Sequence, residues 1–219
     1  MDDISIYQRD WFGEMLTDGA AFSEKHHFPY LEAVKVVPEG ECLPINYMTC
    51  CKNLSETWFH CFINDAPQQR YWYNFGRYVP FFKKAKGVIS SDFSVLRDMD
   101  KDAQERNVYR SRCMAYAIHK VNPNTIPTAP FGGEDTWNWC FESLPKQSTY
   151  AVTTNVGWND SEACRLFIGG VDALVKQKEP YALVVCGHCP DWLLTKYPNV
   201  KIVVIPNFSQ WRRLCRRCG

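Results

Sequence analysis

The chain has 219 residues, 46% hydrophobic and 22% charged, the balance of one globular domain with a sizeable core rather than a disordered or fibrous protein. A formal net charge of +1 excludes a global field that drives binding to nucleic acid or membrane, so any electrostatic footprint is local. No apolar run approaches the ~20 residues of a membrane span, and the acidic start, MDDISIYQRDW, lacks the basic and apolar regions of a signal peptide. A cytoplasmic location and no membrane partner are therefore expected.

In chain order, residues 1–40 read as an extension packed on the domain, and residues 41–219 as the domain itself, ending in a basic, cysteine-containing tail. A first strand is expected somewhere between Val34 and Asn46. TWFHCFI (57–63) is strand-like and runs into Asn64-Asp65. Pro67 to about Lys84 is helical, aromatic and basic, and Pro80 is expected to break it in two. KGVISS (86–91) is a strand that ends on Asp92. Asp100 opens a long helix to about Lys120, with Tyr109, Cys113, Tyr116 and Ala117 as its apolar stripe. NTIPTAP (124–130) is a weaker strand, followed by a short aromatic helix from Asp135 to Ser143. STYAVTT (148–154) is a strand. Asn159 or Asp160 then caps a helix in which Cys164, Phe167, Ile168, Val171, Leu174 and Val175 keep helical spacing. YALVVC (181–186), a short helix from Asp191 to Tyr197 and the strand VKIVVIP (200–206) complete the pattern.

Strands that alternate with helices predict parallel βαβ units. A complete (β/α)₈ barrel usually takes about 250 residues, so the expected fold class is α/β, in a compact or incomplete TIM-barrel-like arrangement. The alternative is an open doubly wound sheet, although no Gly-rich phosphate loop follows the first strand. In either architecture ligands collect at the carboxyl ends of the strands, which here carry Asp65, Asp92, Asn155, His188 and Asn207.

The segments HCFINDAPQQRYWYNFGRY, GVISSDFSVLRDM, NVYRSRCMAYAI, NTIPTAPFGGEDTWNWCFESLPKQST, AVTTNVGW and EPYALVVCG, in this order, resemble a bacterial and phage family catalogued as domain of unknown function 4417. The resemblance covers about residues 40–187 and is strongest at SDFSVLRDM and DTWNWCFESLPK. The family usually has proline where this chain has Ser91, and tyrosine where it has Cys186. The resemblance implies a place in a phage, prophage or mobile-element repertoire. It brings no established activity and so assigns no catalytic role.

Three constellations carry candidate chemistry. Asp65 and Asp92 end consecutive strands, and neighbouring parallel strands lie about 4.8 Å apart. Two carboxylates so placed, with Ser94 beside them, can share a divalent cation or work as acid and base. Arg110, Trp137, Asn155 and Trp158 are the candidate substrate-binding residues around that pair. The competing expectation makes Asp92 an Asx-turn or helix cap that accepts backbone N–H groups from the turn after it. Next, Cys186-Gly-His-Cys189 and Cys215-Arg-Arg-Cys218 have the spacing of a structural zinc knuckle. The chain's excess of cysteine, 11 in all, can also produce two such pairs by chance. Cys61, Cys113, Cys140 and Cys164 read as small core hydrophobes. Third, Arg70, Tyr71, Trp72, Tyr73, Arg77, Lys83, Lys84 and Lys86, then Arg106, Arg110 and Arg112, then QWRRLCRRCG, form basic and aromatic stretches of the kind that contact phosphates and stack on bases. Acidic neighbours from Asp98 to Glu105 also allow ordinary solvated helix faces. His60 reads as a packed core histidine.

The expected function is a phage or mobile-element enzyme acting on a phosphate-containing substrate, nucleic acid or nucleotide, at the acidic strand-end site. The alternative is a non-catalytic protein that engages nucleic acid or a host protein through its aromatic and basic surfaces.

Overall fold

The computed structural model of the chain describes residues 14–154 and 159–217, with side chains as far as residue 213. Seven strands alternate with helices: β1 (Cys42–Pro44), β2 (Trp58–Cys61), α1 (Asp65–Tyr73), α2 (Phe75–Lys84), β3 (Gly87–Ser91), α3 (Lys101–Val121), β4 (Thr125–Ile126), β5 (Thr149–Thr153), α4 (Ser161–Lys178), β6 (Ala182–Cys186), α5 (Asp191–Lys196), β7 (Lys201–Ile205) and α6 (Phe208–Arg217). The expected first strand is β1. No helix among the described residues is long and apolar enough to cross a membrane.

All strand pairs are parallel. They form a four-stranded sheet in the order β1-β2-β3-β4 and a three-stranded sheet in the order β5-β6-β7. Neither order reverses, whereas a doubly wound sheet does. An isolated parallel bridge, Thr128 to Ala151, links the sheets through the chain just beyond β4. Ala151 donates to the Pro127 carbonyl, and its own carbonyl accepts from Ala129. Pro127 has no N–H to give β5, which keeps this junction to a bridge, and Pro130 has none to give β3, which keeps the β3–β4 ladder from resuming. No ladder joins β1 to β7 among the described residues, so no closed barrel is seen.

Alternation along the strands explains the layers. Phe59, Cys61 and Val88 face one way, against Tyr71, Trp72, Phe82 and Met114. Tyr150, Val152, Leu183 and Val185 face α4, against Phe167, Val171 and Leu174. The opposite faces share a third cluster that takes one residue or more from every strand, including Cys42, Trp58, Ile89, Ile126, Ala151, Val184 and Ile205. Strands covered on both faces read as unbroken apolar runs, and every residue of β6 is fully buried. Residues 14–40 add no strand to either sheet. Phe28 and Val34 are buried, and Val34 exchanges hydrogen bonds with Ser148 and Thr149.

Two helices differ from expectation. The break in the aromatic helix falls at Asn74, not Pro80. Asn74 leaves the helical region (φ −131°, ψ 36°), and its side-chain amide donates to the Arg70 carbonyl at 3.1 Å. Pro80 sits inside α2, where the carbonyl it leaves without a donor belongs to exposed Gly76 and meets solvent. Residues 135–143 form a 3-10 turn at Glu134–Thr136 followed by turns. Carbonyls that a helix needs are taken by tertiary donors. Gln177 donates to Trp137 O at 2.8 Å, and Arg112 donates to Cys140 O at 2.6 Å.

The Trp58 ring lies flat over Gly87 on the neighbouring strand, where an added Cβ would meet ring carbons at 2.3 Å. Gly87→Ala is therefore expected to lower unfolding free energy by about 1–3 kcal/mol through overpacking. Urea denaturation measures it, and Gly87→Ala with Trp58→Leu should recover part of the loss.

Candidate functional site at the strand ends

The carboxyl ends of the strands open into a cleft of about 860 Å³, within the range of small-molecule sites. Its lining comes from the segments that follow β1, β2, β3, β4 and β7, from the end of β5 and from the first turn of α4. Asp92 and Ser94 line it.

The turn after β3 is held by side chains from two helices. Asp92 N–H donates to Gln68 Oε1 at 3.1 Å, Phe93 N–H to Ser111 Oγ at 3.1 Å, and Ser94 N–H to Asp65 at 3.2 Å. Gln68, fully buried, also donates to the carbonyls of Ile63 and Asp92, each at 3.0 Å. Asn107 donates to the Ser94 carbonyl at 2.7 Å. The Ser94 N–H is the one an Asx-turn at Asp92 would have used. Its half-buried carboxyl has no hydrogen-bond partner among the described residues, although it faces the cleft.

Asp65 has the role expected of a cap. It is the first residue of α1, and its carboxylate accepts from the Ser94 N–H and, at 3.1 Å, the Ser94 hydroxyl. The pair is therefore divided: Asp65 is a ligand for the protein, and Asp92 is uncommitted. Burial and then the Asp65 charge push the Asp92 carboxyl up to about 7, opposed by the Arg112 guanidinium. The Asp92 charge in turn acts on the Cys61 and Cys186 thiols. Burial raises both, and the Asp92 charge adds to the effect. Asp92 so perturbed, in a cleft, marks a candidate site on physical grounds.

The other expected residues scatter. Arg110 does not line the cleft. Its guanidinium lies 3.7 Å from the Phe93 ring centroid and 5.1 Å from that of Trp72, with Nε and Nη2 buried and unpartnered. Trp137 and Phe131 press on α4 where Gly169 and Gly170 have no Cβ to obstruct them. Phe131 lines the cleft and Trp137 does not. Asn155 and Trp158 lie outside the described residues. The expected basic and aromatic patch is partly core: Tyr71 and Trp72 are buried, and Arg112 is completely enclosed, donating to Thr128 O (2.9 Å) and Cys140 O.

Of the four knuckle cysteines, Cys186 is fully buried at the end of β6, with its thiol raised by burial, and Cys189 is half-buried. The side chains of Cys215 and Cys218 lie outside the described residues. Among those described, no three His, Cys, Asp or Glu side chains gather as a metal site. Cys61, Cys113 and Cys140 are buried as expected, and Cys164 is half-buried. His60 is a core residue, fully buried, with both ring nitrogens unpartnered, and desolvation lowers it to about 4.

Gln68, Asn107, Ser111 and Phe131 were not anticipated. No local pattern separates buried Gln68 from exposed Gln69, since only the helix phase relative to β3 does so. Phe131 follows a strand and precedes Gly132-Gly133, a placement that could have drawn notice at a strand-end site.

A family model described as Domain of unknown function (DUF4417) matches residues 20–214, a wider span than the segments read above. The chain is 33% identical over 147 residues to the Gene 1 protein of Mycobacterium phage D29, covering 65% of this chain and 53% of that protein. It is 34% identical over 137 residues to the Gene 1 protein of Mycobacterium phage L5, covering 60% and 59%. The matches thus span little more than half of each relative. No solved structure matches.

The direction of the Asp92 shift fixes a pH dependence. A carboxyl raised on folding favours the neutral form. Its contribution is fully present below the unfolded value near 4 and is lost as pH rises through about 7. Denaturant unfolding from pH 4.5 to pH 8.5 should therefore show wild type losing about 1 kcal/mol or more relative to Asp92→Asn, whose uncharged amide does not titrate.

Proposed function

The chain belongs to the family described as Domain of unknown function (DUF4417), and on that premise we propose that it is a phage-type enzyme acting at the strand-end cleft, with Asp92 as its proton-transferring group. The single observation that carries this is the Asp92 carboxyl: it faces a cleft, makes no hydrogen bond among the described residues, and is held near neutrality by burial and by Asp65. A general acid or base works best when its proton affinity matches the ambient pH. Ser94, whose hydroxyl is spent on Asp65, positions that carboxylate rather than reacting.

A phosphate-containing substrate, nucleotide or nucleic acid, is the favoured class. The first turns of α1 and α6 reach the cleft, at Asn64 and Pro67 and at Phe208 and Ser209, and that of α4 does so with its Glu162 and Ala163 N–H groups already taken by Asp160. Helix N-termini carry partial positive charge and N–H donors that suit phosphate. The two sheets act in this proposal as one incompletely closed, barrel-like wall, supported by the Thr128–Ala151 bridge and by the inner cluster drawn from all seven strands. The non-catalytic alternative draws support from one feature: exposed Arg212 and Arg213 on α6 beside the cleft segment Phe208–Ser209, with Arg212 over the Phe208 ring at 5.6 Å.

The test is a turnover screen of purified protein against nucleoside mono- and triphosphates and short oligonucleotides. Asp92→Asn is expected to reduce kcat about 100-fold or more with the fold retained by circular dichroism. Asp65→Asn should move the acidic limb of the pH–rate profile to lower pH. Full turnover by Asp92→Asn, or none by wild type across the panel, would sink the enzyme proposal.

A further inference from the structure

The cleft is not built like a pocket for phosphate alone. It offers no spare cation, for Arg97, the one basic residue among the described lining, lies 3.3 Å from Asp160 and 3.7 Å from Asp98. A ligand there meets Asp92, the side-chain amide of Asn64 and an aromatic wall, the Asn46 amide oxygen being already held by Arg70 at 2.8 Å. In that wall the half-buried rings of Phe131 and Phe208 face the opening, while buried Phe62 and Phe167 stand behind them. Phe131 is set in place by Phe141 and Phe167, with ring centroids 6.0 and 6.1 Å away, and by its seat on Gly170. Phe208 is fixed against Tyr47 and Trp211 at 6.5 and 6.3 Å.

A carboxyl beside such a wall discriminates among ligands. When ionised it repels phosphate, and when protonated it offers phosphate a single donor. A protonated carboxyl places one donor and one acceptor side by side, the complement of an N–H next to a ring nitrogen or carbonyl. Aromatic faces accept any planar heterocycle, and an uncharged ligand avoids the cost of desolvating a second charge beside Asp92.

We propose that the Asp92 end of the cleft is a nucleobase subsite: an uncharged nitrogen heterocycle stacks on Phe131 or Phe208 and pairs its hydrogen-bonding edge with the Asp92 carboxyl. This rests on the nucleotide class proposed above and assigns the base, rather than the phosphate, to Asp92. The phosphate of a nucleotide then lies toward the helix N-termini.

Isothermal titration of the whole protein with adenosine, cytidine, guanosine and uridine, their 5′-monophosphates, ribose 5-phosphate and inorganic phosphate tests it. At least one phosphate-free nucleoside is expected to bind and to compete with its own monophosphate. Asp92→Ala should weaken that binding about tenfold or more, because the base's polar edge is left unpaired. Phe131→Leu should weaken nucleoside binding severalfold and leave phosphate binding unchanged. Both variants are first checked for wild-type circular dichroism, and if Asp92→Ala does not fold, Asp92→Leu, which also removes both the donor and the acceptor, is used in its place. The inference is overturned if no nucleoside binds, if ribose 5-phosphate matches the nucleotides, or if nucleoside affinity is indifferent to position 92. Asp92-dependent turnover of a base-free phosphoester would overturn it while leaving the acid–base proposal intact. Nucleoside binding without turnover would do the reverse.

Discussion

Where a buried parallel strand ends, its ladder ends too, and the next N–H and C=O groups must find partners without water. At the end of β3 the helices solve this. Gln68 takes one donor and supplies two, Ser111 and Asp65 take the next two N–H groups, and Asn107 covers a carbonyl. Breaking buried bonds of this kind costs about 1–3 kcal/mol each, so the turn is rigid through its supports rather than its own sequence. The cleft inherits that rigidity. Asp92 is held by its backbone alone, which leaves its side chain uncommitted at the floor of a cleft.

The same constraint recurs one strand along. Arg112, completely enclosed, holds the Thr128 carbonyl beyond β4 and the Cys140 carbonyl in the turn that replaces the expected aromatic helix. Burial pulls its guanidinium down to about 10, with a partial offset from Cys140, then Tyr150, then the Asp92 charge. Two ionisable groups, one on α3 and one at the end of β3, thus act on each other, one spent on structure and one not. Asp65 stands in the same relation to Asp92. Its ionised form fastens Ser94 and at the same time raises its neighbour, so a structural bond and an electrostatic bias come from one carboxylate.

Much of the architecture was legible because the local signals are strong. The β-branched runs at 86–91, 148–154, 181–186 and 200–206 became β3, β5, β6 and β7, and Asp160 does cap α4, accepting from Glu162 and Ala163. The sheet's partition was not legible. It depends on Pro127 denying an N–H to the junction with β5, a matter of register rather than composition. The site was half legible: Asp92 could be placed at a strand end, but the division of labour with Asp65 depends on which helix face meets the turn. Gln68 and Ser111 have no signature of their own in the sequence, and Arg112 looks like a surface charge until α3 is docked.

The account turns on Asp92 being an unpartnered carboxyl whose proton affinity is set by burial and by Asp65. Carbon-13 NMR of the protein labelled in its aspartate carboxyls, with the Asp92 resonance assigned by its loss in Asp92→Asn, measures this directly. The account predicts a titration near pH 7 in wild type and a clearly lower one in Asp65→Asn. A wild-type titration near the ordinary carboxylate value of about 4, unmoved by Asp65→Asn, would contradict it.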